Sequence, residues 1–212
     1  MYSTRIRRAA VAVAAAAVLP IALTACSDSG DKDTEAADST PSAKESARDD
    51  ARTADEPFGP ACSSVPQSGA GSFDGMAKEP VATAASNNPE LSTLVTAVKK
   101  AGLVDTLNNA KDITVFAPTN DAFAKIPKAD LDKVLNDKAQ LTKILTYHVV
   151  GEKLTPQQLE NGSFETLEKS ELTTAGSGTE YKVDDASSVV CGNVPTANAT
   201  VYIVDTVLMP KS

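Results

Sequence analysis

One histidine, His148, sets a narrow limit on the chemistry open to this chain of 212 residues. Without a second imidazole, zinc sites of the multi-His or His-Cys kind are excluded, and a Ser-His-Asp triad would have to form around His148 alone. His148 follows Tyr147 at the end of an apolar helical repeat, a setting that favours a structural imidazole bonded across the core or to a backbone carbonyl. A hydrolase would instead need a serine oxygen within about 3 Å of that ring and an acid behind it. The carboxylates pair only locally, as Asp130 with Asp132 and Asp184 with Asp185. Neither pair has the ligand loop of a calcium hand, so both read as solvated turn residues. No strand is followed by GxGxxG or GxxxxGK, the loops that cradle phosphates. No catalytic residue, metal site or cofactor is therefore expected. The remaining reactive groups are the thiols of Cys26, Cys62 and Cys191.

The elements that must place these residues are legible from periodicity. Ile113, Val115 and Ala117 alternate with Thr114 and Phe116 as in a strand. Pro118 ends the strand, because it lacks the donor a ladder needs. Thr119 can then cap a helix opening at Asn120 and carrying Phe123. Phe116 and Phe123 are two of five phenylalanines in a chain without tryptophan, so at least one is expected in the core. Residues 76–84 read as a first helix. Asn88 caps a second with Pro89 in its first turn, where the missing N–H costs nothing. Leu91, Leu94, Val95 and Val98 form its stripe, and Gly102 stops it. Leu103, Val104 and Leu107 suggest a short turn packing back. Asp130 is expected to cap a helix over 131–135, and Leu141, Ile144, Leu145 and His148 share one helical face. From Asn161 onward the period changes to two, with strand candidates at 172–175, 181–183, 189–191 and 201–204. Asn161-Gly162 and Gly176-Ser177-Gly178 read as turns. Helices first and strands afterwards give an α+β class in one domain.

Three segments carry a resemblance. They are residues 114–123, the run Leu145-Thr146-Tyr147-His148-Val149-Val150, and residues 199–210. In order and spacing they resemble the signature segments of the fasciclin-like domain family, over about Gly75 to Pro210. In character the chain is similar to the secreted and surface lipoprotein antigens of mycobacteria in that family. The resemblance implies a wedge-shaped β-core of about seven strands with several flanking helices. It makes Phe116, Pro118, Thr119, Asn120 and Phe123 a structural motif. Tyr147 and His148 match a motif linked in animal members to integrin-type adhesion, and an Asp near the last segment, here Asp205, has a similar association. The plainer expectation for Asp205 is a carboxylate capping a turn at a strand end. A shared fold does not fix an activity.

Residues 1–25 read as an export signal. Arg5, Arg7 and Arg8 precede an apolar run of roughly 15 residues, short of the roughly 20 needed to span a bilayer. Leu23-Thr24-Ala25-Cys26 resembles the lipobox of bacterial lipoproteins. That resemblance implies cleavage before Cys26 and a diacylglyceryl thioether on its sulfur, and two or three acyl chains anchor stably where one is marginal. After Cys26, the stretch 27–57 holds ten Asp or Glu, four Lys or Arg, and no Val, Ile, Leu or aromatic residue. It cannot bury enough apolar surface to order itself, so it reads as a disordered acidic tether of roughly 30 Å. The arm 58–74 carries Cys62, and the domain proper is expected over 75–212. An odd cysteine count is resolved if Cys26 is modified and Cys62 pairs with Cys191. The fasciclin-type relatives also carry a cysteine near each end of the domain, which supports that bridge. Two free thiols would be the alternative.

Charge narrows the partners. The net charge is -8, and removal of Arg5, Arg7 and Arg8 with the signal makes it -11. Nucleic acid is a poor fit for such a chain. Asn161-Gly162-Ser163 and Asn198-Ala199-Thr200 match the glycosylation sequon, but the lipobox points to a bacterium and both are discounted. The expectation is a monomeric, non-enzymatic protein, exported to the outer face of the cell membrane on Cys26, with a shed form also open. It would mediate adhesion or contacts with a protein or matrix partner. The alternative is an envelope protein that binds a lipid or small apolar ligand.

Overall fold

The structure, a computed structural model, describes residues 56–210. Cys26, the export segment and the acidic stretch up to residue 55 lie outside the described residues.

The first predicted helix is two. α1 (Phe73–Met76) is capped by the Ser72 hydroxyl, which accepts from the Gly75 N–H, and α2 (Val81–Ser86) starts afresh after Pro80. Proline cannot continue the hydrogen bonding of a preceding helix, and this divides the apolar run. Asn88 Oδ1 accepts from the Glu90 N–H at 3.0 Å, and Pro89 opens a 3-10 turn that leads into α3 (Ser92–Ala101). Gly102 ends α3 at φ 77°, in the left-handed region open to glycine, with Lys99 and Lys100 in the last turn. α4 (Val104–Asn109) follows and buries Leu107.

β1 (Ile113–Pro118) is buried along its whole length, because the sheet is covered on both sides. Ile113, Val115 and Ala117 join the core under the helices, while Phe116 points into a second core. The Thr119 hydroxyl accepts from the Ala122 N–H at 3.1 Å and caps α5 (Asn120–Ala124), which buries Phe123. Asn120 ties this turn to α3. Its Oδ1 accepts from the Thr93 N–H at 2.9 Å, and its Nδ2 donates to the Pro89 carbonyl at 2.9 Å.

α6 (Lys128–Asn136) opens after Pro127 at its N-cap, three residues ahead of the expected Asp130 cap. Asp130 lies in its first turn and pairs with Lys133 on the surface at 3.2 Å. α7 (Lys138–Tyr147) is capped by Asp137, buries Leu141, Ile144, Leu145 and Tyr147, and delivers His148 at its C-terminal end.

Among the described residues, seven strands make one mixed sheet. After β1 come β2 (Val149–Val150), β3 (Asn161–Glu165), β4 (Glu171–Ser177), β5 (Glu180–Val183), β6 (Ser187–Pro195) and β7 (Ala199–Val204). Their order is β2-β1-β7-β6-β5-β4-β3. β1 and β7 run parallel, in register from Ile113 opposite Ala199 to Pro118 opposite Val204, and the other pairs are antiparallel. A bridge between Val150 and Thr166 brings the two ends of the sheet together. Asn161-Gly162 is not a turn but the start of β3, opposite Ala175 and Thr174. The Phe164 ring covers Gly162 so closely that a Cβ there would lie 2.3 Å from it. Packing over the strand, and not turn geometry, explains this glycine.

The arm 58–74 is tied down at several points. Cys62 and Cys191 form a disulfide with Cα atoms 4.9 Å apart. Phe58 exchanges two backbone hydrogen bonds with Gly192, at 3.1 and 2.7 Å, and Phe58 and Val65 are buried. The arm therefore contributes apolar surface to the core as well as a cross-link.

Asn198, noted above only as part of a sequon, is a structural hub. Its Oδ1 accepts from the Val81 N–H at 2.8 Å, and its Nδ2 donates to the carbonyls of Leu107 at 2.8 Å and Ala110 at 2.7 Å. One side chain, in the loop before β7, thus serves the start of α2, the end of α4 and the loop before β1. Asn198→Ala leaves all three backbone groups unpaired. It is expected to cost about 2 kcal/mol, read as a lower urea midpoint with an unchanged slope. A loss below about 0.5 kcal/mol would show that solvent replaces these bonds.

Candidate functional site

Tyr147 and His148 sit where α7 meets β2, and both are inside. Tyr147 is 0% exposed and His148 is 2% exposed. This corrects their candidacy as contact residues. The run that carries them alternates between two interiors, so neither side chain is presented to a partner.

The surroundings of His148 explain its role. Nδ1 lies 2.8 Å from the Ile144 carbonyl, which can only accept, so Nδ1 carries the proton. Nε2 is then free to accept, and it takes the Leu208 N–H at 2.9 Å. One neutral imidazole satisfies a carbonyl at the end of α7 and an amide in the segment after β7. Burial pushes its pKa down to about 4, against smaller upward contributions from the Ile144 carbonyl and Asp184. With both nitrogens committed to backbone, His148 has no lone pair to activate a serine.

Tyr147 enters the aromatic core inside the sheet, with Phe58, Phe116, Tyr181 and Tyr202. Phe116 and Tyr202 stack at 5.8 Å, and Phe58 packs on Tyr181 at 5.4 Å. The Tyr147 hydroxyl donates to Asp184 Oδ2 at 2.6 Å. Burial first, and the bond to Asp184 second, raise its pKa well above the ordinary tyrosine value. Asp184 was expected to be a solvated turn residue. It does sit in a turn, with Asp184 and Asp185 both at positive φ, but it is half-buried. Its Oδ1 accepts from the Thr173 N–H at 3.0 Å, so the carboxylate joins β4 to Tyr147. Nothing local to Asp184-Asp185 signals this, because the partner lies 37 residues away.

Asp205 is where the turn-capping expectation placed it. Oδ1 accepts from the Ser188 N–H at 2.8 Å and from the Thr206 hydroxyl at 3.1 Å. Oδ2 meets Lys125 Nζ at 3.2 Å, with the two side chains 38% and 53% exposed. Partial burial pushes this carboxyl up, but the Ser188 amide, Lys125 and Thr206 outweigh it and hold the pKa below the usual value. Of Tyr147, His148 and Asp205, only Asp205 reaches solvent, beside Lys125. An open groove between α5 and α6, lined in part by Asn120, Lys125, Lys128 and Leu131, adjoins this pair.

Among the described residues, no group of three or more His, Cys, Asp or Glu is placed to hold a metal ion. Among the same residues, no helix is long and apolar enough to cross a membrane.

Residues 89–210 match the fasciclin domain. The cell surface glycolipoprotein MPT83 of Mycobacterium tuberculosis is 50% identical over 149 residues, covering 68% of this chain and 66% of its own length. The chain thus spans just under two thirds of that relative. The immunogenic protein MPB70 of Mycobacterium bovis is 46% identical over 162 residues, 73% of this chain and 82% of its own. A FAS1 domain pair from the insect cell adhesion molecule fasciclin I superposes with a TM-score of 0.47 at 20% identity, over 56% of this chain and 45% of that one. With the signature segments placed as the strand, cap and helix end described above, and with relatives this similar, the chain belongs to the fasciclin domain family.

Proposed function

We propose that this protein is exported, held at the outer face of the cell membrane by lipid on Cys26, and acts there without catalysis, as a module for adhesion or protein contacts. The observation that carries the non-catalytic reading is the spending of the lone imidazole on two backbone groups. What the described residues offer outward at the candidate site is a surface that includes the accessible charges of Asp205, Lys125 and Lys128. Relatives whose names describe surface and immunogenic proteins support the location. The Leu23-Thr24-Ala25-Cys26 pattern supports the anchor.

Two measurements test the proposal. Cells fed an alkyne fatty acid should label the wild-type chain, and Cys26→Ser should remove the label and release the protein to the medium. An unlabelled, uncleaved wild-type chain would end the anchoring half. For the contact half, Lys125→Gln with Asp205→Asn neutralises the exposed pair. Such pairs contribute about 0–1 kcal/mol, so the fold should persist. Capture of envelope or matrix proteins should fall while the far-UV spectrum stays the same. Undiminished capture would move the contact elsewhere. A second reading, an envelope protein that holds a small apolar ligand, is favoured by one observation, an interior cavity under α2 and α3.

A further inference from the structure

The open groove between α5 and α6, beside Asp205 and Lys125, has a volume of about 560 Å³. Pockets that take ligands span about 300–1,000 Å³, so the space suffices for a few side chains of a partner. Its floor is apolar. Phe123 is buried there, while Ile126 and Leu131 are only half-buried, so part of each remains for a partner to cover. One wall is tied to α3, because Asn120 accepts from the Thr93 N–H and donates to the Pro89 carbonyl. A partner meets a surface that is already shaped and loses less ordering entropy than it would against loose side chains.

The charges that line the groove have one sign. Lys125 and Lys128 line it, and among the described residues no carboxylate does. This is a local inversion, since the chain as a whole carries -8. The two lysines differ in what they already hold. Lys125 Nζ is shared between Asp205 Oδ2 at 3.2 Å and the Thr206 hydroxyl at 3.3 Å. Lys128 is exposed and, among the described residues, has neither a side-chain hydrogen bond nor an ion pair. Asp130, in the same turn of α6, does not neutralise it, because Asp130 is paired with Lys133 at 3.2 Å.

We propose that this groove receives a segment of a partner protein in which an aliphatic side chain sits beside a carboxylate. The aliphatic group covers Ile126 and Leu131, above the buried Phe123 ring, and the carboxylate pairs with Lys128. Lys125 adds positive potential and keeps its bond to Asp205. Other ligands fit less well. The groove is open to solvent, so an acyl chain lying in it would leave one side in water, whereas a protein partner closes the opening with its own surface. Nucleic acid needs several cations along a phosphate backbone, and two lysines on an acidic chain do not supply them. The inference rests on the reading of this face as a protein contact, and it names the partner's chemistry and the residue that selects it.

The test uses the full-length chain carrying Cys26→Ser, oxidised, with two blocked peptides as probes, acetyl-Glu-Leu-Leu-Glu-amide and acetyl-Gln-Leu-Leu-Gln-amide. The two match in shape and differ in charge. Two-dimensional NMR should show saturable shifts of the Ile126 and Leu131 methyls with both. The acidic peptide should bind about fivefold more tightly, as one exposed ion pair allows. Added salt should erase that difference. Lys128→Gln changes an exposed, unpaired side chain, so it should leave the fold intact and make the two affinities equal. Lys128→Glu should reverse the preference. Equal affinities on the parent chain overturn the carboxylate and the role of Lys128. No saturable shift at Ile126 and Leu131 from either peptide overturns the groove as the site. The wider reading of this face is decided separately, by whether Lys125→Gln with Asp205→Asn lowers capture.

Discussion

Replacing Cys62 and Cys191 together by alanine should lower the melting temperature by roughly 10–20 °C. The bridge joins residues 129 apart. In the chain-entropy treatment, a loop of that length restricts the unfolded chain by about 5 kcal/mol. For a domain of this size, each kcal/mol shifts the midpoint by about 2–4 °C. Two features oppose the loss. Phe58 remains paired with Gly192 through two backbone bonds, and the Phe58 and Val65 side chains remain buried. The arm should therefore stay docked at low temperature and detach before the sheet melts. Hydrogen exchange would report early loss of protection at Phe58 and Gly192 in the variant. A shift under about 2 °C would mean that packing alone fixes the arm and the bridge is redundant. Cys191 is fully buried and Cys62 partly so, and alanine avoids leaving a hydroxyl unpaired in either place.

Acid should destabilise the fold well before most carboxylates protonate, and His148 should be the cause. In the unfolded chain its imidazole takes a proton near 6.5, and in the folded chain only near about 4. Between those values the unfolded state binds a proton that the folded state refuses. Stability is thus fully present above about pH 6.5 and falls as the pH drops, until the folded imidazole also protonates near 4. The gap corresponds to about 3 kcal/mol, lost across that window. Protonation also removes the acceptor at Nε2, so the Leu208 N–H loses its partner and the end of the chain after β7 should loosen first. Asp205 acts in the same direction but at lower pH, since its carboxyl sits below its ordinary value. His148→Gln offers an uncharged acceptor and should be less stable at pH 7 by about 2 kcal/mol, from imperfect packing and bonding. Its urea midpoint should then change little between pH 6.5 and 4. Equal pH slopes for the parent chain and the variant would remove His148 from the explanation.

Much of the backbone plan is written in short stretches of the chain. Asn88-Pro89 at the start of a helix, Gly102 at its end and Thr119 after the Pro118 stop are local signals. Each depends on one residue, through its side chain at Asn88 and Thr119 and through its backbone at Gly102, meeting a backbone group two to four residues away, so it survives translation into the fold. The alternation from Ile113 to Phe116 correctly divided that strand between two cores, because the pleat is a property of the strand itself. The failures have two causes, a distant strand in one case and a nearby proline in the other two. Asn161-Gly162 carries a turn signal, yet β4 lies alongside and recruits it into a strand. Asp130 is a good cap by type, yet Pro127 starts the helix earlier. Residues 76–84 have helical composition, yet Pro80 divides them.

The candidate site was legible in part. That His148 would serve structure followed from its position at the end of an apolar stripe and from the absence of any partner for metal or triad chemistry. That Tyr147 would share its burial did not, because a residue next to a helix end can face either way until the sheet is in place. Asp184 shows the same limit. Its role depends on β4, β5 and α7 meeting, and no window of sequence spans them.

The chemical inventory is readable along the chain: one imidazole, an acidic balance, a cysteine in a lipobox-like setting, and a run of helices followed by a run of strands. These follow from residue types and from backbone preferences over a few neighbours. Tertiary structure alone decided which polar groups are spent and which are left over. His148 Nε2 and Leu208 are 60 residues apart, and Asn198 reaches groups up to 117 residues away. Asn88 keeps an unpaired donor only because α2, α3 and the sheet close around it. Hydrogen bonds and desolvation act through space at about 3 Å, and only the packed chain brings residues that far apart in sequence within that range.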